Sequence, residues 1–222
     1  MTQTVLTALA LALTVLGCAS KPRLREITPA DSLQIVEDNL AHRASMDEFF
    51  RLDAASPFHR DTAAAYHGIR WFPIDPRYRT ESILHRYDHP DTVDVLGTKG
   101  ERRRQLRYGY FEVTIPDDRN APVVLQLTAY RFTPSDSMRY RLYRNNLSVW
   151  FTDETTGKET YGVGRYLDVG DENPDTGHLY SIDFNRAYNP YCAYSPLYSC
   201  AVPRKEDHLP LALRVGEMKY HE

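Results

Sequence analysis

Residues 107 to 115 read R-Y-G-Y-F-E-V-T-I, and their alternation decides the fold class. Phe111, Val113 and Ile115 fall on one face, with Tyr108, Tyr110 and Thr114 on the other, which is the two-residue period of a half-buried strand. Pro116-Asp117-Asp118 supplies a turn. Val123 to Phe132 then repeats the pattern, with Val123, Leu125, Leu127 and Ala129 on one face, so the two segments form a hairpin or meander. Further along, Leu147, Val149 and Phe151 make a third such face, followed by turn residues from Asp153 to Lys158. Tyr161 to Val169, Leu179 to Phe184, and Leu209 to Val215 add three more. Sixteen Tyr and two Trp against eleven Gly suit pleated surfaces with aromatic faces. The expectation is a mainly β protein, a sandwich or barrel-like antiparallel sheet, with an N-terminal helix and only minor α content.

The helix is placed by its start signal. Thr28 caps it, Pro29 occupies its first position, and Asp31 sits in the first turn, where a carboxylate favours the helix dipole. Leu33, Val36 and Leu40 are predicted to be its apolar stripe, Met46, Phe49 and Phe50 extend it, and Ser56-Pro57 ends it. Between Tyr66 and Arg79 a short aromatic run carries two prolines and reads as an edge strand or extended ribbon. With 222 residues in all, residues 28–222 fit a single domain.

Residues 1–17 are uncharged and apolar, too short for a stable membrane span, and read as an export signal. Val15-Leu16-Gly17-Cys18 resembles a bacterial lipobox, which implies a diacylated Cys18 at the start of the mature chain and residues 18–27 as a tether. Ala19 and Ser20, with no Asp, favour the outer membrane if the cell is Gram-negative. Against the pattern, Met1 to Thr4 lacks the usual Lys or Arg. The expected partner is therefore a membrane, reached through lipid on Cys18. Twenty-seven basic and 30 acidic residues give a net charge of −3, which argues against nucleic acid. Glu101 to Arg107, E-R-R-R-Q-L-R, is the sole basic run and reads first as a strand-edge guard.

The segment from Asp183 to Pro203, D-F-N-R-A-Y-N-P-Y-C-A-Y-S-P-L-Y-S-C-A-V-P, is too apolar to leave in water. Pro190 and Pro196 exclude a helix, so it is predicted to be an ordered, buried loop. Together with G-I-R-W-F-P-I-D-P-R-Y-R at 68–79, T-G-K-E-T-Y-G-V-G-R-Y-L-D at 156–168 and L-P-L-A-L-R-V-G-E at 209–217, it resembles the bacterial and archaeal family known as domain of unknown function 1684. The resemblance spans nearly all of the mature chain and implies a single domain, often on a lipoprotein, with no established activity. Thr156, Ala201 and Met218 depart from the family's usual Ser, Pro and Lys.

Several side chains in these stretches can carry chemistry. Arg165, on an otherwise apolar face, needs a carboxylate, for which Asp183 or Glu159 are the natural partners. One reading is a pocket for a small polar ligand or a sugar, formed by Arg165, Tyr166, Asp183, Asn185, Tyr188, Asn189 and Tyr191. A second is a hydrolase using Asp168 and Asp183, with Lys158 and Glu159 in reserve. In a third, the motif is an internal clasp of the fold. Cys192 and Cys200, an even pair in an exported chain, are most simply a disulfide. With His208 they lack a C-x-x-C unit or a fourth ligand, so no metal and no other cofactor is expected. Gly162 and Gly164 are too few for a phosphate loop and read as places of close backbone approach.

Overall fold

The computed structural model describes residues 21–221; the predicted export signal and Cys18 lie outside them. Helix α1 (Pro29–Leu52) opens as its sequence demands: the Thr28 hydroxyl accepts from Asp31 N and the Asp31 carboxylate answers at Thr28 N. The predicted extension through Met46, Phe49 and Phe50 does pack inward, but the stripe before it is not the buried face. Leu33 and Leu40 are 66% and 56% exposed, while Ile35, Asn39 and Phe50 are buried. The helix docks through a polar contact, Asn39 Nδ2 donating to Asp183 Oδ2 at 2.8 Å, and this rotates its face away from the leucines. A short helix α2 (Pro57–Arg60) follows, capped by Ser56. Phe50, Phe58 and Tyr194 form a separate aromatic cluster that ties these helices to the loop after residue 183.

Seven strands follow: β1 (Arg79–Leu96), β2 (Arg102–Pro116), β3 (Pro122–Phe132), β4 (Asn146–Asp153), β5 (Arg165–Asp171), β6 (Leu179–Asp183) and β7 (His208–Leu209). Their order, β5-β4-β3-β2-β1-β6 with β7 beside β4, is antiparallel except for β7 and wraps into a nearly closed barrel. The β2–β3 hairpin is as predicted, with Val113 opposite Leu125 and Phe111 opposite Leu127, all inside. Beyond Arg165 the β5 alternation also holds, Leu167 pointing in and Asp168 out. Just after β5, Glu172 gathers Arg86 of β1 (2.8 Å), Tyr108 of β2 (2.5 Å) and Arg131 of β3 (2.6 Å).

Three segments differ from expectation. The edge ribbon at 66–79 is only a bridge from Trp71 to Glu217 and a 3-10 turn at Pro76–Tyr78; the long strand is β1, which follows it. Its core positions include Thr80 and Ser82, and its outer half is charged, so no apolar alternation marks it. Helix α3 (Ser137–Tyr143) buries no residue and therefore has no stripe. Leu209 to Val215 buries its alternate residues as predicted, but only His208–Leu209 is paired with a strand. The carbonyls of Leu213 and Val215 go to Arg165 instead. No helix among the described residues is long and apolar enough to cross a membrane.

Candidate functional site

Residues that point inward fill the barrel, so their neighbours in sequence stand on its outer surface. Along β2, β3, β4 and β5 that surface presents Gln105, Tyr130, Trp150 and Tyr166. Bare, it would be a large aromatic patch. The loop from Tyr188 to Val202 covers it: Tyr166 and Tyr188 exchange backbone hydrogen bonds of 2.9 and 3.0 Å, Tyr166 Oη donates to Ala201 O at 2.6 Å, and Val202 N donates to Leu96 O at 2.8 Å. The expectation of an ordered, non-helical cover over a β surface is met, apart from single 3-10 turns at Phe184–Arg186 and Tyr191–Ala193.

Cover and sheet do not meet fully, and between them lies a cavity of about 450 Å³. Of the residues predicted for a site, Tyr166, Asp168, Tyr188 and Tyr191 line it, as does Cys200. Three lining residues outside the predicted site are Gln105, Trp150 and, from the Tyr-rich loop itself, Tyr198. Gln105 Oε1, Trp150 Nε1 and Tyr198 Oη are each buried without a hydrogen-bond partner. Such atoms are uncommon in a native fold, because each forfeits hydrogen bonds it had in water. Burial raises the pKa of Tyr166, Tyr188 and Tyr191, so all three remain neutral phenols near pH 7.

The other predicted site residues are not at the cavity. Arg165 is 1% exposed and lies inside the barrel, where Nη2 donates to Asp153 Oδ2 at 2.8 Å and to Leu213 O at 2.8 Å, and Nη1 donates to Val215 O. Its partner is thus Asp153, not Asp183 or Glu159. Asp153 is next but one to Phe151, which pairs with Arg165 across β4 and β5, so both side chains share the inner face. Asp183 accepts instead from Asn39 Nδ2 and Asn185 Nδ2, and Asn185 in turn brackets Asp75 through its N–H and C=O. Asn189 N donates to Glu217 Oε2 and its Nδ2 to Met218 O. Arg165, Asp183, Asn185 and Asn189 therefore act as clasps between segments. Asp168 and Asp183 do not share the cavity. His42 on α1 feels both carboxylates, yet burial first and Arg186 next hold its pKa below the ordinary value.

Glu217 is the hub of the clasp. It is fully buried, accepting from Asn189 N at 2.8 Å and Tyr194 Oη at 2.5 Å, and burial pushes its pKa up to about 7. Gly216 beside it has φ +78°, and a Cβ there would meet Ala187 O at 2.6 Å, so only glycine lets the C-terminal segment pass this close to the loop. Gly164, at φ +111°, makes a similar approach to Phe151 O and bears out the close-approach reading, whereas Gly162 has nothing nearer than 3.9 Å.

Cys192 and Cys200 are free thiols in contact, Cys192 N donating to Cys200 Sγ at 3.3 Å. The hydrogen bond from Cys200, aided by Tyr161 and Thr98, lowers the Cys192 pKa to about 6, and the same bond raises that of Cys200. Tyr161 Oη lies 3.6 Å from Cys192 Sγ. His208 is elsewhere, beside Thr152 and Glu154. Among the described residues, no three His, Cys, Asp or Glu side chains are grouped to hold a metal ion.

The family profile described as "Protein of unknown function (DUF1684)" matches residues 64–218, which take in the whole barrel, the covering loop and the clasp. The chain belongs to this family. This DUF1684 chain is also similar to the solution NMR structure of an uncharacterized protein from Haloarcula marismortui, at 31% identity and a TM-score of 0.56, covering 82% of this chain and 92% of that one. No curated protein matches it.

Proposed function

We propose that this DUF1684 protein is an extracytoplasmic lipoprotein, anchored through lipid on Cys18, which binds a small polar ligand between the barrel surface and the Tyr-rich loop. The single observation that supports ligand binding is the cavity of about 450 Å³ lined by Gln105, Trp150 and Tyr198, each of which holds a buried polar atom without a partner. Its size falls within the ~300–1,000 Å³ usual for small-molecule sites, and its mixture of aromatic walls and a few polar groups is of the same kind. A thermal-shift screen of the protein against sugar, amino-acid and nucleoside panels tests it. A ligand at a hundred times its Kd stabilises by about 2.7 kcal/mol, which is a visible rise in Tm. No rise with any compound would contradict the reading. Anchoring has its own check: a labelled fatty acid should be incorporated in cells by the protein and not by a Cys18→Ala variant.

In an oxidising compartment Cys192 and Cys200 form a disulfide on this reading. The Cys192 thiolate attacks an incoming disulfide and releases one donor sulfur as a thiol; Cys200 then attacks the Cys192 sulfur of the mixed disulfide, and the second donor sulfur leaves as a thiol. The low pKa of Cys192 favours the first step at neutral pH. Thiol titration of the exported protein, denatured without reductant, should find neither cysteine reactive; two reactive thiols would count against it.

A further inference from the structure

We infer that the cavity under the Tyr-rich loop takes a neutral, hydroxyl-rich ligand of the saccharide class. This rests on the reading of the cavity as a ligand site, and it follows from which groups around it are already engaged. Arg103 spends Nε and Nη2 on Glu101 Oε1, at 3.0 and 2.5 Å, and Nη2 also on Ser199 O at 2.7 Å. Arg139 is paired with Asp136 at 2.7 Å. Asp168 has no cationic partner among the described residues, its Oδ1 accepting only from Gly170 N at 3.0 Å. An anion entering here would meet two arginines already neutralised and one carboxylate that is not. It would lose its hydration without a free cation to replace it.

The polar atoms left over are neutral and of both kinds. Trp150 Nε1–H can only donate, Gln105 Oε1 can only accept, and Tyr198 Oη can do either. Gln105 and Trp150 are 2% and 4% exposed, so both side chains are otherwise packed within the fold. A hydroxyl group donates and accepts through one atom, so a ring carrying several matches both kinds of group. The aromatic geometry points the same way. Tyr166 meets Tyr188 at 71° and Tyr191 meets Tyr198 at 77°, both edge to face. The parallel pair here, Tyr130 against Trp150 at 4.6 Å and 14°, is closed on itself. The other ring contacts at the cavity, Phe132 with Tyr143 at 42° and Trp150 with Tyr166 at 48°, are tilted, and aromatic walls set at such angles suit a puckered ring with C–H faces better than a flat heterocycle.

The experiment is a titration of the full chain followed by the indole 1H–15N resonances. The chain has two tryptophans, and a Trp71→Phe variant identifies the signal of Trp150. The probes are glucose, N-acetylglucosamine and cellobiose as neutral saccharides, glucuronate and glucose 6-phosphate as anionic ones, and adenosine as a flat heterocycle. At least one neutral saccharide is expected to shift the Trp150 indole signal saturably, at least tenfold more tightly than its anionic counterparts or adenosine. Gln105→Met and Tyr198→Phe should each weaken that binding tenfold or more. A response confined to the anions or to adenosine would overturn the saccharide assignment and leave the cavity as a ligand site. Saturable saccharide binding that is unchanged in both variants would place the sugar elsewhere and overturn it too. No response to any probe, together with a blank thermal-shift screen, would overturn both readings.

Discussion

Asp153→Ala is expected to destabilise the protein by about 3–5 kcal/mol, the cost of leaving a buried charge without its partner. The Arg165 guanidinium lies inside the barrel with the Phe151 ring 5.4 Å from its centre, and Asp153 supplies its one short carboxylate contact at 2.8 Å. Asp153 also accepts from Thr155 N and Thr155 Oγ1, at 2.6 and 2.5 Å, so the turn after β4 loosens with it. Arg165→Met removes the charge and should still be costly, because the carbonyls of Leu213 and Val215 lose their donor. The two effects are expected to be strongly non-additive in the double variant, since both break one network. Urea unfolding midpoints of the four proteins measure this. Single variants within about 0.5 kcal/mol of wild type, the range of ordinary surface changes, would show that the ion pair does not hold the C-terminal segment to the barrel.

Glu217 gives the second large effect, and it depends on pH. Its folded pKa of about 7 stands above the ordinary glutamate value of 4.5, so between those values the folded chain holds a proton that the unfolded chain has released. The stabilisation from this group is therefore complete below pH 4.5 and is lost as pH rises through 7. At about 1.4 kcal/mol per pKa unit it amounts to about 3 kcal/mol. Glu217→Gln, which keeps the shape and removes the titration, should flatten the corresponding fall in stability between pH 4.5 and 7. Chemical denaturation across that interval reads it directly; parallel curves for the two proteins would mean that Glu217 is ionised in the fold.

The inner face of the barrel was legible because inward positions on β2, β3 and β4 carry large apolar residues in strict alternation. β1 was not, because Thr80 and Ser82 reach the core without an apolar signature and the rest of the strand is charged. The α1 stripe misled for a related reason: a single buried amide, Asn39, held by Asp183, outweighed two leucines that the helix leaves in water. At the site, the Tyr-rich loop was found from composition, but not its chemistry. Arg165 was recognised as needing a carboxylate, yet the choice among Asp153, Glu159 and Asp183 depends on strand register. The pairing of Phe151 with Arg165 settles it for Asp153. Gln105 sat inside a basic run and read as one more solvated residue. Its burial follows only from the loop that arrives nearly a hundred residues later. A usable signal was present in β4, where Trp150 falls on the face opposite Leu147, Val149 and Phe151 and so requires a cover of its own.

The central claim is that Gln105 and Tyr198 keep buried polar atoms for a ligand and not for the fold, and the Tm of the ligand-free Gln105→Met and Tyr198→Phe variants tests it most directly. Replacing a buried, unpartnered polar group by an apolar one of the same shape is neutral or stabilising. The expected result is a Tm equal to that of the wild type or a few degrees above it in both variants. A clear fall in both would contradict the claim, because it would mean that these atoms hold the folded protein together.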